Sequence, residues 1–290
     1  MLGIKNADWH AVEIPRLPPK PELMPLTGGY RLTPVLQIGA DVFCDSRAII
    51  REIDRRVPEP TLFPGGADGM VWGIGEWIDG PLFLLTILAV FVDTFEGPTP
   101  DGFWKDRCDL YFGEDFDVQR AVAELPDTLA KIRAEFSWMG TRLSSGRDFM
   151  LGNEPGLPDA LCHYVVWFIR GRYSGGPDLL SEFRALNAWE DRMQAIGHGS
   201  DEEMTSGQAL DIAKAANPDV PLTFDAADPT GVSKGEAVAI APDMTDGSPP
   251  VSGTLVGLDI DRISIAREDQ RVGEICVHFP RVGYNIRRTD

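Results

Sequence analysis

Asp45 and Ser46 stand directly before residues 48–56, a run in which Ile49, Ile50 and Ile53 fall three and four apart. That spacing predicts a helix, and an acidic and a hydroxyl side chain at its start predict a cap. The free N–H groups and positive dipole end of such a turn also favour a bound carboxylate. Cys44 precedes the cap, where a helix terminus can lower a thiol pKa, but its place in an alternating strand predicts a buried packing cysteine. The remaining candidates are dispersed. Cys44, Cys108, Cys162 and Cys276 show no CxxC spacing, and His10, His163, His198 and His278 have no second ligand on one helix face. No metal site and no disulfide framework are expected. His163, within an apolar run, reads as a satisfied core histidine rather than a general base. Gly65-Gly66 and Gly73-x-Gly75 lack the strand-turn-helix setting of a nucleotide loop.

The elements that must carry the cap are legible on either side of it. Residues 9–14 alternate as a strand and are followed by Pro15, Pro18, Pro19 and Pro21, which forbid regular structure. Residues 33–38 and 41–44 flank Gly39-Ala40 as a two-stranded hairpin. Helical periodicity then recurs over 67–91, 116–143, 158–170, 179–196 and 208–216. Trp72 and Trp77 share the first of these helices but point in different directions. After Asn217-Pro218 the texture turns to Pro, Asp and Thr. Strand-like runs follow at 237–240, 254–258, 262–266 and 274–279, with loops at 225–235 and 243–250.

Three domains are expected on this pattern: 1–60, 61–216 and 217–290. With 290 residues, 43% hydrophobic and 25% charged, the chain can bury sizeable cores. Lys and Arg number 27 against 45 Asp and Glu, a net charge of -18, so polyanions are repelled and neither nucleic acid nor anionic membrane is an expected partner. The C-terminal segment follows suit, with seven basic against twelve acidic residues between 217 and 290. Arg281, Arg287 and Arg288 read as a solvated end. The longest apolar run, 82–92, is too short to span a bilayer, residues 1–20 hold no apolar leader, and the unpaired cysteines suit a reducing cytoplasm.

Arg31-Leu-Thr-Pro-Val-Leu-Gln-Ile-Gly followed by Val42-Phe-Cys-Asp-Ser-Arg-Ala-Ile-Ile resembles the glutathione-binding part of the glutathione transferase family, bacterial type. Phe149-Met-Leu-Gly-Asn-Glu-Pro-Gly-Leu-Pro-Asp-Ala-Leu resembles the loop leading into that family's buried helix, with Gly156 where the family has Ser or Thr and with Asp159 retained. The resemblance covers residues 1 to about 216. It implies a thioredoxin-like α/β domain lacking its first strand and an all-α domain; outside the resemblance, the short strands and turns of 217–290 predict a small β barrel of SH3-like type. The resemblance further implies a cis bond before Pro34 and cysteinyl pairing at Thr33-Pro34. The γ-glutamyl group would be received by Asp45 (ammonium) and Ser46 (carboxylate). Glutathione as co-substrate, a small apolar electrophile and a homodimer are the implied partners.

The family's first strand, and the Tyr, Ser or Cys after it that stabilises the thiolate, have no counterpart here, so no catalytic residue is named. Eight residues precede Trp9, whereas a strand, turn and helix need on the order of 20. Loss of that central strand would leave unpaired ladder groups on its neighbours, so an intact domain would need a substitute strand. Either the start lies further upstream or the protein tolerates a damaged first domain. Two functions stay open: thiolate attack on an electrophile, and a non-catalytic binding or scaffold role.

Overall fold

The computed structural model describes residues 1–95, 97–243 and 249–289. Of the loop expected over 243–250, residues 244–248 lie outside the described residues. The chain divides into two compact units, residues 1–9 with 57–201 and residues 10–56 with 202–290. β1 (Asp8–Ala11) and β4 (Ser200–Glu203) form a two-stranded ribbon of their own. The strand expected at 9–14 is therefore real but short, and it lies outside the large sheet. Its partner, Ser-Asp-Glu-Glu, has no apolar residue to betray it.

The first unit is helical: α3 (Asp68–Trp77), α4 (Phe83–Thr94), α5 (Phe103–Tyr111), α6 (Val118–Leu143), α7 (Leu157–Arg172), α8 (Gly176–Leu180) and α9 (Arg184–Ile196). Residues 67–91 read as one helix in sequence. In the structure a π turn over Ile78–Leu82, with Gly80 at φ -100 and ψ -106 and Pro81 inside, separates α3 from α4. The whole run Asp68–Thr94 is long and apolar enough to cross a membrane by length and composition. Its Ile78, Leu82, Ile87 and Ala89 are buried within this unit. Asp117 caps α6 by accepting from the N–H groups of Gln119 and Arg120 at 3.0 and 3.1 Å.

Gly156 precedes α7 without a side chain to cap it, and Asp159 makes the reciprocal half of a capping box. Its carboxylate accepts from Gly156 N at 3.0 Å, Met150 N at 2.8 Å and the Trp189 indole at 2.8 Å. Asp159 and Trp189 are both fully buried. One side chain thus closes the helix start, the loop before it and α9.

The second unit is built on one sheet in the order β2-β3-β8-β7-β6-β5-β9. Its strands are β2 (Val35–Ile38), β3 (Asp41–Cys44), β5 (Ala237–Pro242), β6 (Val251–Leu258), β7 (Arg262–Asp269), β8 (Gly273–Pro280) and β9 (Tyr284–Arg288). The last five form an antiparallel meander with β9 returning beside β5, the strand order expected of an SH3-like barrel. This region does not end at its own edge. β8 pairs in parallel with β3, Asp41 opposite Cys276 and Phe43 opposite His278. All four residues of β3 are consequently buried, and β2 is left as the terminal strand. The need for a substitute strand, argued from unpaired ladder groups, is met on β3 by a strand more than 230 residues away.

Helices cover this junction. The α2 helix (Ser46–Arg56) packs on β2, β3 and β8 and buries Ile49, Ile50 and Ile53, each stabilising by about 1.5–3 kcal/mol. The short α1 (Met24–Thr27) also packs on β3 and β8, and α10 (Ser206–Ala215) on β8. Leu26, Leu210 and Ala213 join Val42, Cys44 and the β-rich core in one cluster. A capping box starts α10, Thr205 Oγ1 accepting from Gln208 N at 3.2 Å and Gln208 Oε1 from Thr205 N at 3.0 Å.

A buried polar chain links β3, β8 and β7. The Ser264 hydroxyl lies 2.8 Å from His278 Nδ1, and His278 Nε2 lies 2.8 Å from Asp41 Oδ1. Asp41 Oδ2 accepts from the N–H groups of Asp219 and Val220 at 2.8 and 3.2 Å. Ser264 and Asp41 are 1% exposed and His278 not at all. Burial lowers the His278 pKa against the pull of Asp41. A neutral imidazole with its proton on Nε2, accepting from Ser264, satisfies every member.

Candidate glutathione-type site

The β2-β3 hairpin brings the candidate residues together. Val35 pairs with Cys44, so the chain enters β2 through Thr33-Pro34 at the end where it leaves β3 through Asp45-Ser46. Gly39, at φ 60, makes the turn at the opposite end. The Thr33–Pro34 peptide bond is cis. Thr33 and Pro34 are exposed, and Asp45 and Ser46 half-buried.

Asp45 sits in the left-handed region at φ 78, a conformation that Asp tolerates better than most residues. Its backbone carbonyl accepts from Ile49 N at 3.2 Å, the first helical bond of α2. Its Oδ1 accepts from Arg47 N at 2.9 Å. Asp45 is therefore the helix cap, and Ser46 is spared that task. The Ser46 hydroxyl, in the first turn, has no hydrogen-bond partner among the described residues.

Tyr284 also reaches this point. Its hydroxyl lies 3.2 Å from Asp45 Oδ2 and 3.4 Å from the hydroxyl of Tyr30. The sequence offers no signal for this contact: β9 is five residues long, and around it only Arg281, Arg287 and Arg288 carry a reading, as a solvated end. Arg288 instead pairs with Glu236 at 2.9 Å and Arg281 with Asp228 at 3.7 Å.

No described thiol near the cap is poised as a nucleophile. Cys44 is buried, and burial followed by the Asp45 charge pushes its thiol well up. This agrees with the packing role expected of it. His163 is not the satisfied core histidine expected: it is half-buried, its buried Nε2 has no hydrogen-bond partner among the described residues, its ring lies 6.0 Å from that of Trp189, and burial lowers its pKa. Trp77 donates to Glu135 at 2.7 Å and Trp72 lies against Phe63, two directions as their spacing requires.

Strand pairing also assembles Asp41, Cys276 and His278 with their donor atoms within 4.8 Å of one another. Sequence spacing could not show this, since Asp41 lies 237 residues from His278. Asp41 and His278 are already engaged by the hydrogen bonds described above. Burial raises the Cys276 thiol to about 12, which leaves it a protonated packing group.

Comparison with known proteins agrees with the fold. Family models for the N-terminal and C-terminal domains of glutathione S-transferase match residues 1–61 and 118–192. A GST-like protein from Pseudomonas syringae is 31% identical over 99% of this chain and 92% of its own, with a TM-score of 0.79. Poplar glutathione transferase F1 is 14% identical, covering 64% of this chain and 75% of its own, at a TM-score of 0.43. The apo structure of glutathione S-transferase III is 17% identical, covering 69% and 79%, at 0.44. No curated protein matches the chain. With a thioredoxin-like N-terminal domain, a helical domain and an added sheet-rich C-terminal region, the chain belongs to the glutathione S-transferase family.

Proposed function

We propose that the protein binds glutathione at Thr33, Pro34, Asp45 and Ser46 and directs its thiolate at a small apolar electrophile. The observation that carries this reading is Ser46. It stands in the first turn of α2 beside an acidic residue that already caps the helix, and its own hydroxyl is uncommitted among the described residues. A γ-glutamyl carboxylate there would accept from that hydroxyl and from the positive helix end, with Asp45 facing the ammonium. Replacing Ser46 by Ala is expected to weaken glutathione binding by about 1–3 kcal/mol, the cost of leaving a charged group short of one hydrogen bond. Calorimetry with reduced glutathione checks it, and unchanged affinity in Ser46→Ala overturns the assignment.

A second reading, binding without catalysis, is favoured by the chemistry around the cap. Burial raises the pKa values of Cys44 and Tyr284, so both keep their protons at neutral pH and neither activates a thiol. A conjugation assay with a small aromatic halide separates the two: turnover above the solution rate supports the transferase, and binding without turnover the second reading.

The four unpaired cysteines suit the cytoplasm. A homodimer follows from the same family reading, and Met70 and Trp138, 60% and 58% exposed in the helical unit, are large apolar side chains available to it. Light scattering at micromolar concentration is expected to return twice the chain mass of 31.9 kDa. A mass near 31.9 kDa overturns the dimer.

A further inference from the structure

Tyr284 lies 239 residues beyond Asp45 in the chain, on β9, the last strand of the sheet-rich region. It is 4% exposed. Its ring is held against Phe279 at 5.3 Å and Tyr30 at 6.5 Å, and its hydroxyl is aimed at Asp45 Oδ2. The Asp45 carboxylate is thus gripped at both oxygens, Oδ1 by the N–H of Arg47 on its own helix and Oδ2 by a hydroxyl from the far end of the chain. These two bonds, one to each oxygen, fix the plane in which the carboxylate lies. Burial, the largest cause, pushes the Tyr284 hydroxyl well above its ordinary pKa, so it acts as a donor at any working pH.

A tyrosine that only filled the core would need a hydroxyl partner, and Tyr30 is within 3.4 Å to serve. The contact with Asp45 asks for a further account, because Asp45 holds a left-handed backbone at the mouth of α2. We propose that Tyr284 is a positioning residue for the γ-glutamyl subsite, fixing the Asp45 carboxylate to receive the α-ammonium group of the ligand. The sheet-rich C-terminal region is then part of the glutathione site rather than an appendage to it. This inference rests on the assignment of glutathione binding to Asp45 and Ser46.

The test compares two ligands by calorimetry on the full chain: reduced glutathione, and glutaryl-cysteinylglycine, which lacks only the α-amino group. Tyr284→Phe keeps the ring and removes the hydroxyl. It is expected to weaken glutathione by about 3- to 10-fold, the worth of one hydrogen bond, and the analogue by less than about twofold. Tyr284→Met, which also lacks the hydroxyl and fills the space differently, should give the same ligand-selective loss. Asp45→Asn should do likewise, and the double variant with Tyr284→Phe should be no weaker than Asp45→Asn alone, as required of residues acting through one another. Equal losses for both ligands would reduce Tyr284 to packing and overturn the inference. So would unchanged glutathione affinity in Tyr284→Phe while Ser46→Ala is weakened, an outcome that leaves the site itself standing. Failure of the unaltered chain to bind glutathione removes both the site and the inference.

Discussion

Asp41→Ala is expected to destabilise the protein by about 3–5 kcal/mol, the usual result of removing one partner from a buried charged hydrogen-bond network. Three donors would lose their acceptor in a place water does not reach: His278 Nε2–H and the N–H groups of Asp219 and Val220. Asp41→Asn should cost less than half as much. The amide oxygen can still accept from the two backbone N–H groups, and the amide nitrogen can donate to His278 if the imidazole proton moves to Nδ1 and points at Ser264. Urea denaturation midpoints check both, and a loss below about 1 kcal/mol in Asp41→Ala would show that the network contributes little.

The same network makes stability fall in acid. Burial pushes the Asp41 carboxyl up, but the hydrogen bonds from His278, Asp219 and Val220 outweigh it and hold the group below its ordinary 3.8. His278, lowered by burial, lies below its ordinary 6.5. Both groups therefore bind fewer protons folded than unfolded. Their stabilisation is fully present above pH 6.5, fades as pH falls through the His278 range, and falls further below 3.8 as Asp41 is protonated. Urea midpoints taken between pH 7.5 and 5 should drop, and drop less in His278→Gln.

Asp159→Ala is expected to cost about 3–5 kcal/mol in the helical unit, by a different route. It removes an acceptor shared by Met150 N, Gly156 N and the Trp189 indole, all at 3.0 Å or less, and each donor left unpaired in a buried site costs about 1–3 kcal/mol. The effect is larger than for an ordinary cap because three donors depend on the one buried carboxylate. Asp159 and Trp189 are in direct contact, so their losses should not add. Trp189→Phe removes the indole donor, and Asp159→Ala made in that background should cost less than in the unaltered chain. Thermal melting with the double-mutant cycle measures this, and strict additivity would show that the indole bond carries no stability.

The resemblance carried by Thr33-Pro34 and Asp45-Ser46 rests on local grammar. A hairpin, a turn at Gly39 and a capped apolar run are decided within some 20 residues, by interactions a few positions apart. In the first unit α6, α7 and α9 were legible for the same reason, their apolar faces recurring at three and four, whereas α5 was not read. Where local signals are silent the reading is silent too. Ser200–Glu203 becomes a strand without an apolar residue, and the single helix read over 67–91 is broken at Gly80-Pro81.

Composition and periodicity determined by themselves that residues 217–290 would be β-rich and that Asp45 or Ser46 would cap a helix. Tertiary structure alone decided what those strands do. β8 extends the sheet from β3, His278 meets Asp41 across 237 residues and Tyr284 meets Asp45 across 239. Strand pairing is a choice among edges, and any strand with free N–H and C=O groups can satisfy another. Which edge is taken depends on buried side chains matching across the ladder, here Asp41 and Phe43 against Cys276 and His278, and that match exists only once the chain has closed.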